Sequence, residues 1–238
     1  MKKRKLKLVV LLCLMVIFRQ NLLAQESITD RYALVYMDDV SDYAALFTGK
    51  RPQPVTFPVK NHQYFKDEIF VSGRLSYGGV VYPGVLLRWD LYRDELIILS
   101  PDNNDIVLRK EHVGLAEIYG YQIFYLHPDN FAGCPPAGYY ILLYPGEHRL
   151  IEKITINLFR EVTHNKRIVY YFSQSSNFYL LKNGVYYKIN NRRTLLKPLE
   201  THRAELKQFI RTNKLKYFPD AERMVLEVLK QHEKLSRL

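Results

Sequence analysis

The chain has 238 residues, a formal charge of +11 and 47% hydrophobic residues, a composition that excludes intrinsic disorder as its main state. Residues 1–24 contain six basic residues and no acid, and the remaining 29 basic and 24 acidic side chains leave a charge of only +5 on residues 25–238. An excess this small does not indicate nucleic-acid binding. The length of residues 25–238 suits one domain.

The N-terminus has the parts of a secretory signal peptide. A basic stretch, residues 1–7, precedes an unbroken apolar run, residues 8–18. That run is too short to span a bilayer, which takes about 20 apolar residues, but it suits the apolar region of a signal. Ala24 supplies a small residue for cleavage before Gln25, so we predict export to the periplasm or to the periphery of the outer membrane. The alternative is an uncleaved N-terminal anchor helix.

Cleavage would leave Cys134 as the only cysteine of the chain. No intramolecular disulfide is then possible, and stability must come from the core. A nucleophilic thiol needs a partner base, which the sequence does not identify. We therefore interpret Cys134 as a structural loop residue.

From residue 69 onward, runs of aromatic and β-branched residues are separated by turn signals, which is typical of strands. Asn183-Gly184 is the clearest turn, because this pair readily supplies the positive φ values of a type I′ hairpin. Pro83-Gly84 is interpreted as another turn. About ten strands are predicted, at residues 69–77, 80–82, 85–92, 96–99, 106–108, 118–126, 139–144, 150–158, 178–181 and 185–189. They predict an antiparallel β-meander that is closed as a barrel, folded as a sandwich or curved around a helix.

Two helices are predicted after Pro198. The first has Leu206, Phe209 and Ile210 at helical spacing, and the second begins at Pro219-Asp220. The apolar face of the second helix comprises Ala221, Met224, Val225, Val228, Leu229, His232 and Leu235. The expected fold is therefore mainly β with α, an α+β class with a curved or barrel-like sheet at residues 25–198. Residues 199–238 form a helical cover of the same domain, or else provide a docking helix for a partner.

Several segments resemble a group of exported, uncharacterised proteins from the Bacteroidota. They are YGGVVY at residues 77–82 with VLLRWDLYRDEL at 85–96, and NGVYYK at 183–188 leading into ELKQFI at 205–210 and NKL at 213–215. The resemblance covers most of residues 65–230, and its motifs are structural hairpins. It implies an envelope location and transfers no active site.

The common catalytic and cofactor motifs are absent from the sequence. It has no His-Glu-x-x-His zinc site, no Gly-x-Ser-x-Gly elbow, no phosphate-binding loop and no dinucleotide fingerprint. The seven histidines include no pair at i, i+2 or i, i+4, and residues 102–105 are interpreted as a turn instead of a calcium loop. No metal and no cofactor are predicted.

Arg88, Asp90, Tyr92 and Asp94 are the first candidate binding residues. In a strand at residues 85–92, Arg88, Asp90 and Tyr92 share one face, with Trp89 on the other face in the core. The functional interpretation is an acid/base pair or a sugar-binding pair of carboxylates. The structural interpretation is a solvated Arg88–Asp90 ion pair, with Asp94 as a turn residue.

A second candidate is the basic cluster near residue 190, from which Lys188, Arg192 and Arg193 are the candidate binding residues. The cluster also includes Lys182 and Lys197. With Tyr186 and Tyr187 nearby, it would suggest single-stranded nucleic acid in a cytoplasmic protein, a partner that export argues against. The interpretations that remain are contact with anionic lipid headgroups or lipopolysaccharide, and a solvated edge that prevents aggregation.

These patterns predict a non-enzymatic binding or interaction protein of the cell envelope, with an envelope protein or a lipid as partner. The first alternative is a periplasmic lipid or lipoprotein carrier, and the second is a hydrolase with an unidentified site. A charged helical tail stands where outer-membrane barrels usually close with a final strand. The cleaved protein is therefore expected not to be integral to the membrane, although it can be peripheral to it.

Overall fold

The computed structural model describes residues 45–127, 133–146 and 148–237. The chain divides into two compact units, Met1–Thr48 and Gly49–Leu238. In the first unit, the described residues form a single 3-10 turn, Ala45–Thr48. The predicted signal peptide and the cleavage between Ala24 and Gln25 lie outside the described residues. All strands and α-helices of the described chain belong to the second unit.

The second unit contains a ten-stranded sheet in which every pairing is antiparallel. The strands are β1 Val71–Tyr77, β2 Val80–Asp90, β3 Glu95–Leu99, β4 Asp105–Val107, β5 Val113–Ile118, β6 Tyr121–Leu126, β7 Gly138–Tyr144, β8 Arg149–Val162, β9 Ile168–Lys182 and β10 Val185–Ile189. Their order in the sheet is β10-β9-β8-β7-β6-β5-β1-β2-β3-β4, so β4 and β10 are the edges and the strands do not close into a barrel. The predicted meander is confirmed, except that β5 pairs with β1 instead of β4. A 3-10 turn, Lys110–His112, precedes β5.

Two tight hairpin turns have the same backbone conformation, but only one of them was predicted from the sequence. Asn183 and Gly184 have φ values of 50° and 74°, which confirms the predicted type I′ hairpin between β9 and β10. Tyr119 and Gly120 adopt the same combination, at 52° and 78°. They separate β5 from β6. The predicted strand 118–126 therefore corresponds to β6 and the last residue of β5, whereas residues 113–117 of β5 were not predicted. A tyrosine at the first turn position carries no turn signal, so this hairpin was missed.

The predicted turn at Pro83-Gly84 is wrong, because β2 runs through it without interruption. Arg74 of β1 pairs with Pro83, whereas Gly73 pairs with Val85, so Gly84 is an extra residue in β2. Its φ of 72° identifies a β-bulge. Glycine has no Cβ and adopts a positive φ without steric strain. Proline has no N–H to donate to a neighbouring strand, and it is tolerated here because a bulge interrupts the regular pairing.

β8 and β9 are longer than predicted, with 14 and 15 residues. β7 pairs with β8 only as far as Glu152, and β10 pairs with β9 only from Phe178 onward. Residues 153–162 and 168–177 therefore pair with each other as a two-stranded extension, here named the β8–β9 ribbon. In its β9 strand, the polar run at residues 173–177 interrupts the hydrophobic pattern, whereas the IVYYF run at residues 168–172 is a strand signal that was missed.

An irregular segment, residues 57–65, connects the ribbon to β2. Val59 forms a bridge with Tyr170, and Tyr64 forms one with Asp90. The ring of Tyr92, in the turn after β2, lies 5.1 Å from that of Phe172 on β9. Since five strands separate β2 from β9 in the sheet order, this contact requires the sheet to curve.

Both predicted helices are present, together with a short additional one. They are α1 Arg192–Leu196, α2 Arg203–Thr212 and α3 Ala221–Ser236. The side chain of Asp220 accepts a hydrogen bond from the backbone N–H of Arg223 and caps α3. The helical region therefore begins at Arg192, before the predicted boundary at residue 199. No helix in the described part of the chain is both long and apolar enough to cross a membrane.

The helices pack on one face of β8, β9 and β10. Leu150, Phe178, Leu180 and Ile189 of these strands share a buried cluster with residues of all three helices. From α3 this cluster includes Met224, Val225, Val228 and Leu229, four residues of the predicted apolar face. The packing favours the interpretation of the helices as a cover of the sheet.

Candidate functional site

Arg88 does not pair with Asp90 as predicted. Its guanidinium carbon lies 4.2 Å from the ring centroid of Tyr64 and 4.1 Å from that of Phe70. Its Nη2 atom forms an ion pair with Asp105 at 2.7 Å. The cation–π contacts and the ion pair hold the Arg88 side chain in intramolecular contacts. Arg88 therefore has a structural role.

Asp90 was expected to face solvent and is instead 1% exposed. Its Oδ1 atom accepts hydrogen bonds from the backbone N–H groups of Tyr92 and Arg93, both at 2.9 Å, and its Oδ2 atom accepts one from Gln63 at 3.4 Å. Burial raises the pKa of Asp90, and the hydrogen bonds from Arg93 and Gln63 oppose the rise. The strand ends at Asp90, where the alternation rule no longer sets the direction of the side chain.

Asp94 is a turn residue as predicted, with a φ of 53°, but it also makes long-range contacts. Its carboxylate pairs with the Lys153 ammonium at 2.7 Å and accepts the backbone N–H of Tyr139 at 3.2 Å. Burial lowers the pKa of Lys153, and the charge of Asp94 opposes this change. Asp94 thus ties the β2–β3 turn to β7 and β8. Tyr92 lies in the same turn and is exposed.

Replacing Asp90 tests this structural role. We expect Asp90→Ala to lower the free energy of unfolding by about 2 kcal/mol, because two backbone N–H groups lose their acceptor. Asp90→Asn keeps a side-chain oxygen, so it should restore most of the loss. The measurement is urea unfolding at pH 7, and an equal loss in both variants would contradict the assignment.

The basic candidates Lys188, Arg192 and Arg193 are exposed at the end of β10 and the start of α1. Lys182 of the same cluster is only half-buried, and its ammonium donates a hydrogen bond to the backbone carbonyl of Pro198 at 2.7 Å. β10 is an edge strand, and exposed cations on an edge discourage pairing with other chains. Their contact with lipid headgroups stays a prediction.

A cavity of about 640 Å³ opens beside the start of the β8–β9 ribbon, between β8, β9 and the N-terminus of α3. Three carboxylates and three aromatic rings line it, and none of its described lining residues is basic. We name it the carboxylate pocket. Its lining residues are Glu152, Ser175, Ser176, Phe178, Asn190, Tyr217, Phe218, Pro219, Asp220, Ala221 and Glu222.

Glu152 is the buried carboxyl group of this pocket. It lies on β8 opposite Phe178 of β9. Burial raises the pKa of Glu152, the hydrogen bond with Ser176 opposes the rise, and the charge of Glu222 adds to it. A carboxyl group with a raised pKa in a cleft is a frequent feature of functional sites.

The segment before α3 forms the aromatic side of the pocket. The hydroxyl group of Tyr217 donates a hydrogen bond to the carbonyl of Ile189 at 2.6 Å, which holds this segment against β10. Phe218 is 77% exposed, and its ring lies 5.1 Å from that of Tyr217. Asp220 and Glu222 lie at the N-terminus of α3, where the helix dipole stabilises negative charge.

Sequence reasoning did not find the carboxylate pocket, because its residues come from separate segments spread over residues 152–222. The only local signal was Pro219-Asp220, which was interpreted as a helix start. Three cations, Lys214, Lys216 and Arg223, line a separate cavity of about 340 Å³ that shares Pro219 and Asp220.

Three of the scattered histidines meet between the start of β8 and the helices. The ring of His232 lies 5.0 Å from that of His148 and 5.6 Å from that of His202. Among the described residues, no three His, Cys, Asp or Glu side chains are grouped so that they could hold a metal ion. Cys134 is a free thiol that is only partly exposed.

No family model, no curated protein and no solved structure matches this chain. The resemblance to exported proteins of the Bacteroidota therefore stays a prediction.

Proposed function

We propose that this is an exported, non-enzymatic binding protein of the cell envelope, and that its carboxylate pocket binds a cationic group of the ligand. The observation that carries the proposal is the charge of the pocket. Glu152, Asp220 and Glu222 line it without a basic residue among the described lining, although the chain as a whole is basic.

The chemistry of the lining supports an ammonium or guanidinium group as the ligand. Carboxylates at the rim attract the cation, and a partly desolvated site strengthens the attraction relative to water. Phe218 and Tyr217 offer ring faces for cation–π contact. Ser175 and Asn190 add neutral hydrogen-bonding groups that can orient the rest of the ligand.

The location in the periplasm or at the outer-membrane periphery is part of the same proposal. Its support is the basic and apolar N-terminus, residues 1–24, and the resemblance to exported proteins. A lipid carrier is less well supported than a binding protein. Large side chains such as Trp89, Tyr139 and Leu87 are fully buried in the described core. In the carboxylate pocket, three carboxylates stand among the aromatic rings, and an acyl chain bound there would have to desolvate them.

The test is titration of the protein with Nα-acetyl-lysine amide and Nα-acetyl-arginine amide, with Nα-acetyl-glutamine amide as the neutral probe. We expect the cationic probes to bind and the neutral probe not to bind. Glu152→Gln and Glu222→Gln should each weaken binding about fivefold, the effect of about 1 kcal/mol for one lost charge contact. Glu200→Gln is the matched control, because Glu200 is exposed and lies outside the pocket. Equal affinity for charged and neutral probes would refute the proposal.

The pH dependence of binding follows from the raised pKa of Glu152. A bound cation favours the ionised carboxylate, so affinity should be complete above the raised pKa and should fall as the pH decreases through it. The same titrations at a series of pH values from 7.5 down to 4 test this. In Glu152→Gln the part of the pH dependence that comes from Glu152 should disappear.

A hydrolase is the second candidate, and one observation favours it. Glu152, with its raised pKa, shares the pocket with Glu222, as a general acid shares a site with a second carboxylate in glycosidases. Aryl glycosides separate the two proposals. Turnover that Glu152→Gln abolishes would support the hydrolase, whereas cation binding without turnover supports the binding protein.

A further inference from the structure

The β8–β9 ribbon ends in an exposed apolar tip. Phe159 is 45% exposed, Val162 59% and Ile168 45%. They lie on the part of β8 and β9 that pairs with neither β7 nor β10. We name residues 159–171 the ribbon tip.

The ribbon tip is apolar on both of its faces. Phe159 pairs with Tyr171, and Val162 pairs with Ile168. Phe159 and Val162 are three positions apart on one strand, so the two pairs point to opposite faces. The rings of Phe159 and Tyr171 stack at 5.6 Å. A single partner surface can cover only one of the two faces.

The exposed charges of the ribbon tip are mainly positive. Arg160, Lys166 and Arg167 are exposed. The only acid among residues 159–171 is Glu161, which forms an ion pair with Lys60 at 2.7 Å. Three exposed cations therefore flank the apolar side chains.

We propose that the ribbon tip docks on an anionic lipid surface. Phe159, Val162 and Ile168 enter the boundary between headgroups and acyl chains, where lipid can contact both faces of the ribbon at once. The three cations bind lipid phosphates. A protein partner fits less well, because it would leave one apolar face in water. The ribbon tip shares no residue with the lining of the carboxylate pocket. Along β8, Val162 at its end lies ten positions from Glu152, about 33 Å in an extended strand.

The experiment is co-sedimentation of the exported protein, purified without detergent, with vesicles of 30% phosphatidylglycerol and 70% phosphatidylethanolamine. Vesicles of phosphatidylcholine alone are the neutral comparison. We expect binding to the anionic vesicles only, and a decrease with added salt. Equal binding to both vesicles, or to neither, would overturn the proposal.

Variants locate the contact on the protein. The triple variant Phe159→Ser, Val162→Ser, Ile168→Ser should reduce vesicle partitioning about tenfold or more, because most of the inserted apolar area is removed. Arg167→Ala keeps the apolar residues and should reduce partitioning about fivefold. Lys207→Ala, at an exposed position of α2, is the control and should bind as the wild type does. If Arg192→Ala weakened binding while the triple variant did not, the contact would lie at the basic cluster and the proposal would fail.

Discussion

Met224→Asp is expected to lower the free energy of unfolding by at least about 4 kcal/mol. Met224 is 1% exposed and belongs to the cluster that joins α3 to β8, β9 and β10. The substitution removes the packing of the methionine and places an unpaired carboxylate among Leu, Val and Phe side chains. A loss of this size is comparable to the total stability of many domains.

Arg223→Asp is the matched control for Met224→Asp. Arg223 is the neighbouring residue and is exposed, and an acid in the first turn of a helix is favoured by the dipole. The control should therefore change stability by less than about 1 kcal/mol. Thermal and urea unfolding measure both variants. Normal melting of Met224→Asp would contradict the role of α3 as a core element and would favour a docking helix.

Gly73→Ala should have the second-largest effect, a loss of about 3 kcal/mol. An added Cβ at Gly73 would overlap the backbone carbonyl oxygen of Glu117 on β5 and approach Leu87 Cδ1 to 2.9 Å. A backbone atom cannot move aside as the end of a flexible side chain can. The β1–β5 pairing, which joins the two halves of the sheet order, would have to shift.

Gly114→Ala provides the control on the opposite strand of the same pair. Its added Cβ would lie 3.0 Å from the Ser76 hydroxyl oxygen. The serine side chain can rotate to relieve this contact. We expect a change within about 0.5 kcal/mol in urea unfolding. Similar losses in both variants would mean that the close approach at Gly73 is not what limits packing between β1 and β5.

The candidate residues near Asp90 were recognisable from the sequence, but their roles were not. The spacing of Arg88, Asp90 and Tyr92 predicted a shared exposed face. In the structure, Arg88 pairs with Asp105, and Asp94 pairs with Lys153, 59 positions away. A strand pattern gives the direction of a side chain, but it does not identify a partner on a distant element.

The sequence by itself determined the elements whose signals are local. The Asn183-Gly184 hairpin follows from the φ preferences of two residues, and the buried face of α3 follows from helical spacing. The antiparallel meander follows from short connections between successive strands. Each of these depends on residues within a few positions of one another, and the sequence displays such relations directly.

Tertiary structure alone decided the rest. The β5–β1 pairing, the burial of Asp90 and the assembly of the carboxylate pocket all depend on contacts between distant segments. The polar residues 173–177 of β9 gave no strand signal, because only pairing along β8 holds them in a strand. The physical reason is common to these cases. Their free energies come from desolvation and pairing between segments, and these quantities arise only when the chain is folded.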